Sequence, residues 1–243
     1  HRIINSFNIV QDHLALDQAA LYAFEALMIS RYEMFRAVYF HRTVRAAEIM
    51  LIRAISLADE ELNFTEVSEI SRYLSFTDET TLGILINLNT KGQSNLIESK
   101  QIAIDYRDRK LIKCVFEKFV QRKDPFMEKI FGQKKIREKI RDEIAEKADV
   151  DTAQVYVDVP TTPSVPFTSS RQALKSLTLV SDSDRTHHET IDVADLPLMG
   201  AISGYMDIIR VYTNKKSRET VQKATAKILG EDSIKSWWNR VSM

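Results

Sequence analysis

Apolar residues recur at helical spacing from about Leu14 to Leu57, and no Gly or Pro interrupts them, so the pattern predicts a long helical run. At about 100° per residue, Arg31, Arg42 and Arg45 fall within about 40° of one line, interleaved with Phe35, Val38 and Ile49. Tyr39 flanks the same face. Guanidinium groups on a largely apolar stripe need an anion or a carboxylate to meet them. Two readings follow: a phosphorylated ligand held between helices, or a buried helix whose arginines pair with Glu25, Glu48 or acids elsewhere.

Further along, Asn63 or Thr65 is placed to cap a short helix through Leu74. Thr77, followed by Asp78 and Glu79, predicts another helix to about Leu88. Asn89 to Asn95 reads as a loop, Glu98 to Asp105 as helix, and Lys134 to Lys147 as a charged helix with a solvated face. Near residue 150 the character changes. Gln154 to Val159 alternates as a half-buried strand does, Thr161 to Ser170 is Pro- and hydroxyl-rich loop, and Leu174 to Val180 and Ile208 to Tyr212 are further strands. Asp195 to Met206 and Glu219 to Leu229 predict helices, the second capped by Gly230. The expected fold is mostly α, a helical region over 1–150 with a long central helix, followed by a smaller α+β lobe over 151–243.

The 243 residues are 44% apolar, enough for one sizeable core or two smaller ones. Thirty-four basic residues balance 34 acidic ones, which gives no argument for nucleic acid or membrane attraction. The single cysteine, Cys114, excludes an internal disulfide framework. It reads as a small buried apolar residue, or as a thiol activated by Lys113 if exposed. No apolar run approaches the roughly 20 residues of a membrane span, and the start lacks a signal-peptide pattern. A soluble cytoplasmic protein is expected.

Other constellations carry less. His187, His188 and Glu189, with Asp192 and Asp195, lack metal-site spacing and read as a polar surface loop. Trp237 and Trp238 suit docking of the chain's end onto the core. No Walker-type loop and no G-x-S-x-G elbow occurs. Arg109 and Lys113, four apart, would share a face if their segment were helical.

The stretch Ala26 to Ile52 resembles the long helix that follows the metal site in HD-domain phosphohydrolases, in the branch of the deoxynucleoside triphosphate triphosphohydrolases. Those read R-x-x-x-x-R-x-x-Y-x-H-[RK] here, and this chain has Arg31, Arg36, Tyr39, His41 and Arg42 at that spacing. Tyr106 to Lys113, Ile208 to Arg218, and the V-D-x-P-x-x-P-S-like Val157 to Pro166 resemble later family segments in the same order. The resemblance implies that Arg31 and Tyr39 contact a substrate triphosphate and sugar, with Arg36 supporting. His41, Arg42, Arg109 and Lys113 resemble positions at a regulatory nucleotide site or subunit interface, and relatives are commonly homo-oligomers. Asp17, Ala19 and Ala23 stand where human-type relatives carry further basic regulatory residues, and Phe40 replaces a glutamine common beside the base.

The family is named for a His…His-Asp…Asp site holding a divalent metal that activates water. The five histidines here are His1, His13, His41, His187 and His188, and no His-Asp dipeptide occurs. In relatives that site lies upstream of the matched region. The resemblance therefore implies the C-terminal portion of a longer metal-dependent phosphohydrolase acting on nucleotides, with no metal bound by this chain alone and no activity in isolation. The alternative is a non-catalytic nucleotide-sensing or oligomerisation module.

Overall fold

A computed structural model describes residues 1–66, 68–121, 133–159, 176–181, 188–192, 195–196, 198 and 205–230. In chain order the elements are β1 (Phe7–Val10), β2 (His13–Asp17), α1 (Leu21–Met34), a π-helical stretch (Phe35–Tyr39), α2 (Arg42–Leu62), α3 (Ile70–Ser75), α4 (Asp78–Ile86) and α5 (Ser94–Arg107). There follow β3 (Lys113–Gln121), α6 (Lys134–Ala148), β4 (Val155–Asp158), β5 (Ser176–Val180), β6 (His188–Asp192), β7 (Tyr205–Thr213) and α7 (Arg218–Leu229). The chain divides into two compact units that both draw on distant parts of the sequence. One comprises His1–His41, Phe119–Gln133 and Val159–Ile208, and the other Arg42–Lys118, Lys134–Asp158 and Ile209–Met243. Residue 150 therefore lies inside the second unit instead of at a border.

In the first unit a four-stranded sheet has the order β1-β2-β5-β6. Gln11 and Asp12, both left-handed with φ of 49° and 62°, join β1 to β2, as a two-residue hairpin turn that matches strand twist requires. α1 covers this sheet, with Phe24 and Met28 one turn apart against Leu16, Leu177 and Leu179. Each such apolar side chain taken from water contributes about 1.5–3 kcal/mol.

The second unit holds two cores. α2 buries Ala46, Met50, Ala54 and Ala58 along one stripe, and α5 approaches closely enough for the Ser99 hydroxyl to donate to the Ala54 carbonyl at 2.7 Å. Alanine permits that approach because it carries nothing beyond Cβ. The second core forms where α6 and α7 cover the three-stranded sheet β3-β7-β4 through Val115, Ile144, Ala145, Val155, Val211 and Val221.

Several expectations change. The Leu14–Leu57 run is not one helix: Leu14 and Leu16 belong to β2, and the chain breaks at Phe40–His41 before α2 starts. Strand and helix share short apolar patterns, and no Gly or Pro marks the break. Asn63, with φ 48°, ends α2, while Thr65 bonds Asp59, so neither caps α3. Thr77 does cap α4, in a capping box with Thr80. Lys134 to Lys147 is helical, yet Ile140 and Ile144 turn into the core. His188 to Asp192 is an edge strand, and Tyr205 and Met206 open β7 instead of closing a helix. Thr161 to Ser170, Trp237 and Trp238, His187, and most of 195–204 lie outside the described residues. Among the described residues no helix is long and apolar enough to cross a membrane.

Candidate functional site

The most informative residues of the first unit sit where α1 gives way to its π-helical stretch. There the Arg31 guanidinium lies over the Phe35 ring, 4.6 Å from its centroid. The Tyr39 ring stands 4.9 Å from the Phe35 ring and the Phe40 ring 5.8 Å from it. The Arg31 Nε is buried and has no hydrogen-bond partner, and no carboxylate pairs with this arginine among the described residues. A guanidinium held by its face keeps its N–H donors in the plane, directed away from the ring. Tyr39 is 47% exposed, whereas Phe40 is buried. Arg36 lies 3.9 Å from Glu33, and the His41 amide donates to the Val38 carbonyl. The sequence pattern thus placed Arg31, Arg36, Tyr39 and His41 in one unit and on one short segment.

The second unit treats its cations differently. Arg45 donates to both carboxylate oxygens of Asp158, through Nε at 3.0 Å and through Nη2, and from Nη1 to Glu48 at 2.7 Å. Burial opposes the Arg45 charge, but the Asp158 hydrogen bonds and the two acids outweigh it and hold the guanidinium above its ordinary value. Nearby, Arg210 pairs with Glu117, both fully inside. Tyr212, between these pairs, donates its hydroxyl to the Arg42 carbonyl at 3.2 Å. Burial pushes that phenol up. Burial likewise pushes the Cys114 thiol up to about 12, the direction opposite to activation by Lys113.

Arg42 starts α2 with no carboxylate on its guanidinium among the described residues. Arg109 and Lys113 do not share a helix face. α5 stops at Arg107, Arg109 takes a left-handed φ of 57°, and Lys113 opens β3. The reversal is closed by the Arg109 amide on the Tyr106 carbonyl and the Lys110 amide on the Asp105 carbonyl, a helix-ending motif that Gly usually serves. Both cations are exposed.

A divalent metal needs a set of imidazoles and carboxylates, and among the described residues no three His, Cys, Asp or Glu come together to hold one. His188 and Glu189 are neighbours on a strand and project to opposite faces. The residues described do not fit the metal site that the resemblance implies.

Sequence reasoning missed Phe35 as the seat of Arg31, having counted it only as part of an apolar stripe. It also missed Asp158 as the partner of Arg45, although Asp158 stands in the Val157 to Pro166 segment. Arginine four residues before an aromatic, on a helix, was the available signal for the first. The second crosses 113 positions in sequence and has no local signal.

A stretch of this chain is 32% identical over 92 residues to the uncharacterized protein YwfO of Bacillus subtilis, covering 36% of this chain and 21% of that protein. A hypothetical protein from Aquifex aeolicus shares the fold with a TM-score of 0.62 at 18% identity, over 92% of this chain and 50% of its own. A phosphohydrolase from Bacteroides thetaiotaomicron does so with a TM-score of 0.55 at 15% identity, over 88% of this chain and 55% of its own. The chain thus spans about half the length of these solved proteins. Residues 1–236 match the family described as the HD associated region, and the chain belongs to that family.

Proposed function

We propose that this chain is the HD-associated portion of a metal-dependent phosphohydrolase that acts on nucleotides, of the deoxynucleoside triphosphate kind. The observation that carries the reading is Arg31, a half-buried guanidinium whose buried Nε has no partner and whose face rests on a ring. Such a group suits a phosphate oxygen, because guanidinium and phosphate match as bidentate partners. Tyr39 offers an exposed ring beside it for a sugar, and Arg36 supports the same segment. The family match over residues 1–236 and the likeness in fold to a phosphohydrolase support the assignment. A divalent metal, which polarises phosphate and activates water, would be held by residues outside those described.

Arg42, Arg109 and Lys113 are cations without carboxylate partners among the described residues, and with His41 they are assigned to a regulatory nucleotide or an interface between copies. The same cations would serve a non-catalytic nucleotide-sensing module, the second reading. The two part in one experiment: release of phosphate or triphosphate from deoxynucleoside triphosphates by the full protein with a divalent metal. The expected result is release that falls at least about tenfold in Arg31→Ala, the loss of one charge-assisted contact. Nucleotide binding without release would favour the sensing module. Metal-dependent release by the 243-residue chain alone would contradict the placement of the metal elsewhere.

A further inference from the structure

Arg31, Phe35 and Tyr39 form a continuous row, the guanidinium over the Phe35 ring at 4.6 Å and the Tyr39 ring tilted by 47° against it at 4.9 Å. Regular α-helix does not give this. Positions four apart drift by about 40° per step at 3.6 residues per turn, so Tyr39 would stand about 80° from Arg31. The chain instead winds as π-helix over Phe35–Tyr39, closed by the Phe40 amide on the Phe35 carbonyl at 2.7 Å. Its i→i+5 bonding takes more residues per turn, which turns Tyr39 back towards the Arg31 line. The buried Phe40 then ends the stretch, and its ring packs edge-on against Phe35 from the side.

We propose that Phe35 is a positioning residue for anion binding at Arg31, held in register by the π-helical stretch. The inference rests on the reading of Arg31 as a phosphate contact and deepens it. Arginine has many rotamers, and fixing one beforehand strengthens binding without any added contact to the ligand. A carboxylate would also fix it, but would occupy the in-plane donors that a phosphate needs. A ring fixes the guanidinium by its face and leaves the in-plane donors at its outer edge to the ligand, while no protein carboxylate among the described residues competes for them. The ligand class is a phosphate ester or polyphosphate.

The test measures binding of inorganic tripolyphosphate by calorimetry in the full protein, for wild type, Arg31→Ala, Phe35→Leu and Phe35→Trp. Leucine keeps the apolar volume approximately but removes the π face, and tryptophan restores a face. Phe35→Leu is expected to weaken binding about 3- to 30-fold, the range of one cation–π contact, with Phe35→Trp recovering most of it. Melting temperatures taken alongside separate this from misfolding, since a residue that only packs gives a lowered melting temperature with affinity per folded molecule unchanged. Wild-type affinity in Phe35→Leu, with binding still abolished by Arg31→Ala, would overturn the role of Phe35 and leave the reading of Arg31 intact. Equal binding by wild type and Arg31→Ala would overturn the reading itself.

Discussion

Arg31 and Arg45 occupy equivalent places in the sequence pattern, each a cation on an apolar stripe, and their surroundings are opposite. Arg45 spends its donors on Asp158 and Glu48. Arg31 rests on a ring with its Nε unpartnered. A guanidinium whose donors all meet protein acids is part of the scaffold, and removing its partner leaves a stranded charge. Arg31 instead contributes its contact with the Phe35 ring, and under the proposed reading its outer donors serve an anion. Burial does not separate the two, since both are half-buried. An unmet donor alone does not either, since the Nη1 of Arg210 is also buried without a partner. What differs is that no carboxylate among the described residues meets Arg31.

The comparison can be broken by stability measurements. The largest effect is expected in the Arg210–Glu117 pair, whose side chains are 5% and 7% exposed. Glu117→Ala strands Arg210 and is predicted to cost about 3–5 kcal/mol in chemical denaturation. Asp158→Ala comes next at about 3 kcal/mol, because Glu48 still meets Arg45. Arg31→Met should cost only about 0.5–1 kcal/mol, the loss of its contact with the Phe35 ring, because it breaks no ion pair. A loss as large as that of Asp158→Ala would mean that Arg31 is scaffold too.

Cys114 probes the same buried layer of the second unit. With its thiol raised to about 12, alkylation at pH 8 should be slow in the native protein and fast in urea. Rapid native alkylation would show that the layer opens. The smallest effect is at Asp59, whose carboxyl is held below its ordinary value of 3.8, chiefly by the Thr65 hydroxyl. A lowered carboxyl stabilises the fold fully above its unfolded value and loses that contribution as pH falls through the folded one. Protection of the Thr65 amide against exchange should therefore fall below about pH 4, and Thr65→Val should weaken that pH dependence, because the amide still donates to Asp59 at 3.1 Å.

How far the sequence discloses the molecule differs by element. The Thr77 cap, the strand β4 and the amphipathic α7 are local signals, and each lies where the pattern placed it, although β4 buries Val155 and Asp158 at its ends instead of alternating. The β1–β2 hairpin carries no Gly or Asn at its turn, so Gln11 and Asp12 gave no turn signal despite their left-handed backbone. The break at Phe40–His41 lacks a helix breaker, and the π-helical winding is set by how Phe35, Tyr39 and Phe40 pack, which no periodicity encodes. Arg31 was singled out by pattern and by resemblance. Phe35 beneath it and Asp158 opposite Arg45 needed the tertiary structure, because a stack and a bridge across the chain are facts of packing.

The most direct measurement is the affinity of tripolyphosphate for wild type and Arg31→Ala, with the melting temperature of each recorded without ligand. The account predicts a melting temperature lowered only slightly, by the lost contact with Phe35, and binding that falls at least about tenfold in the variant. Unchanged binding together with a large fall in melting temperature would contradict it, and would make Arg31 a structural arginine like Arg45.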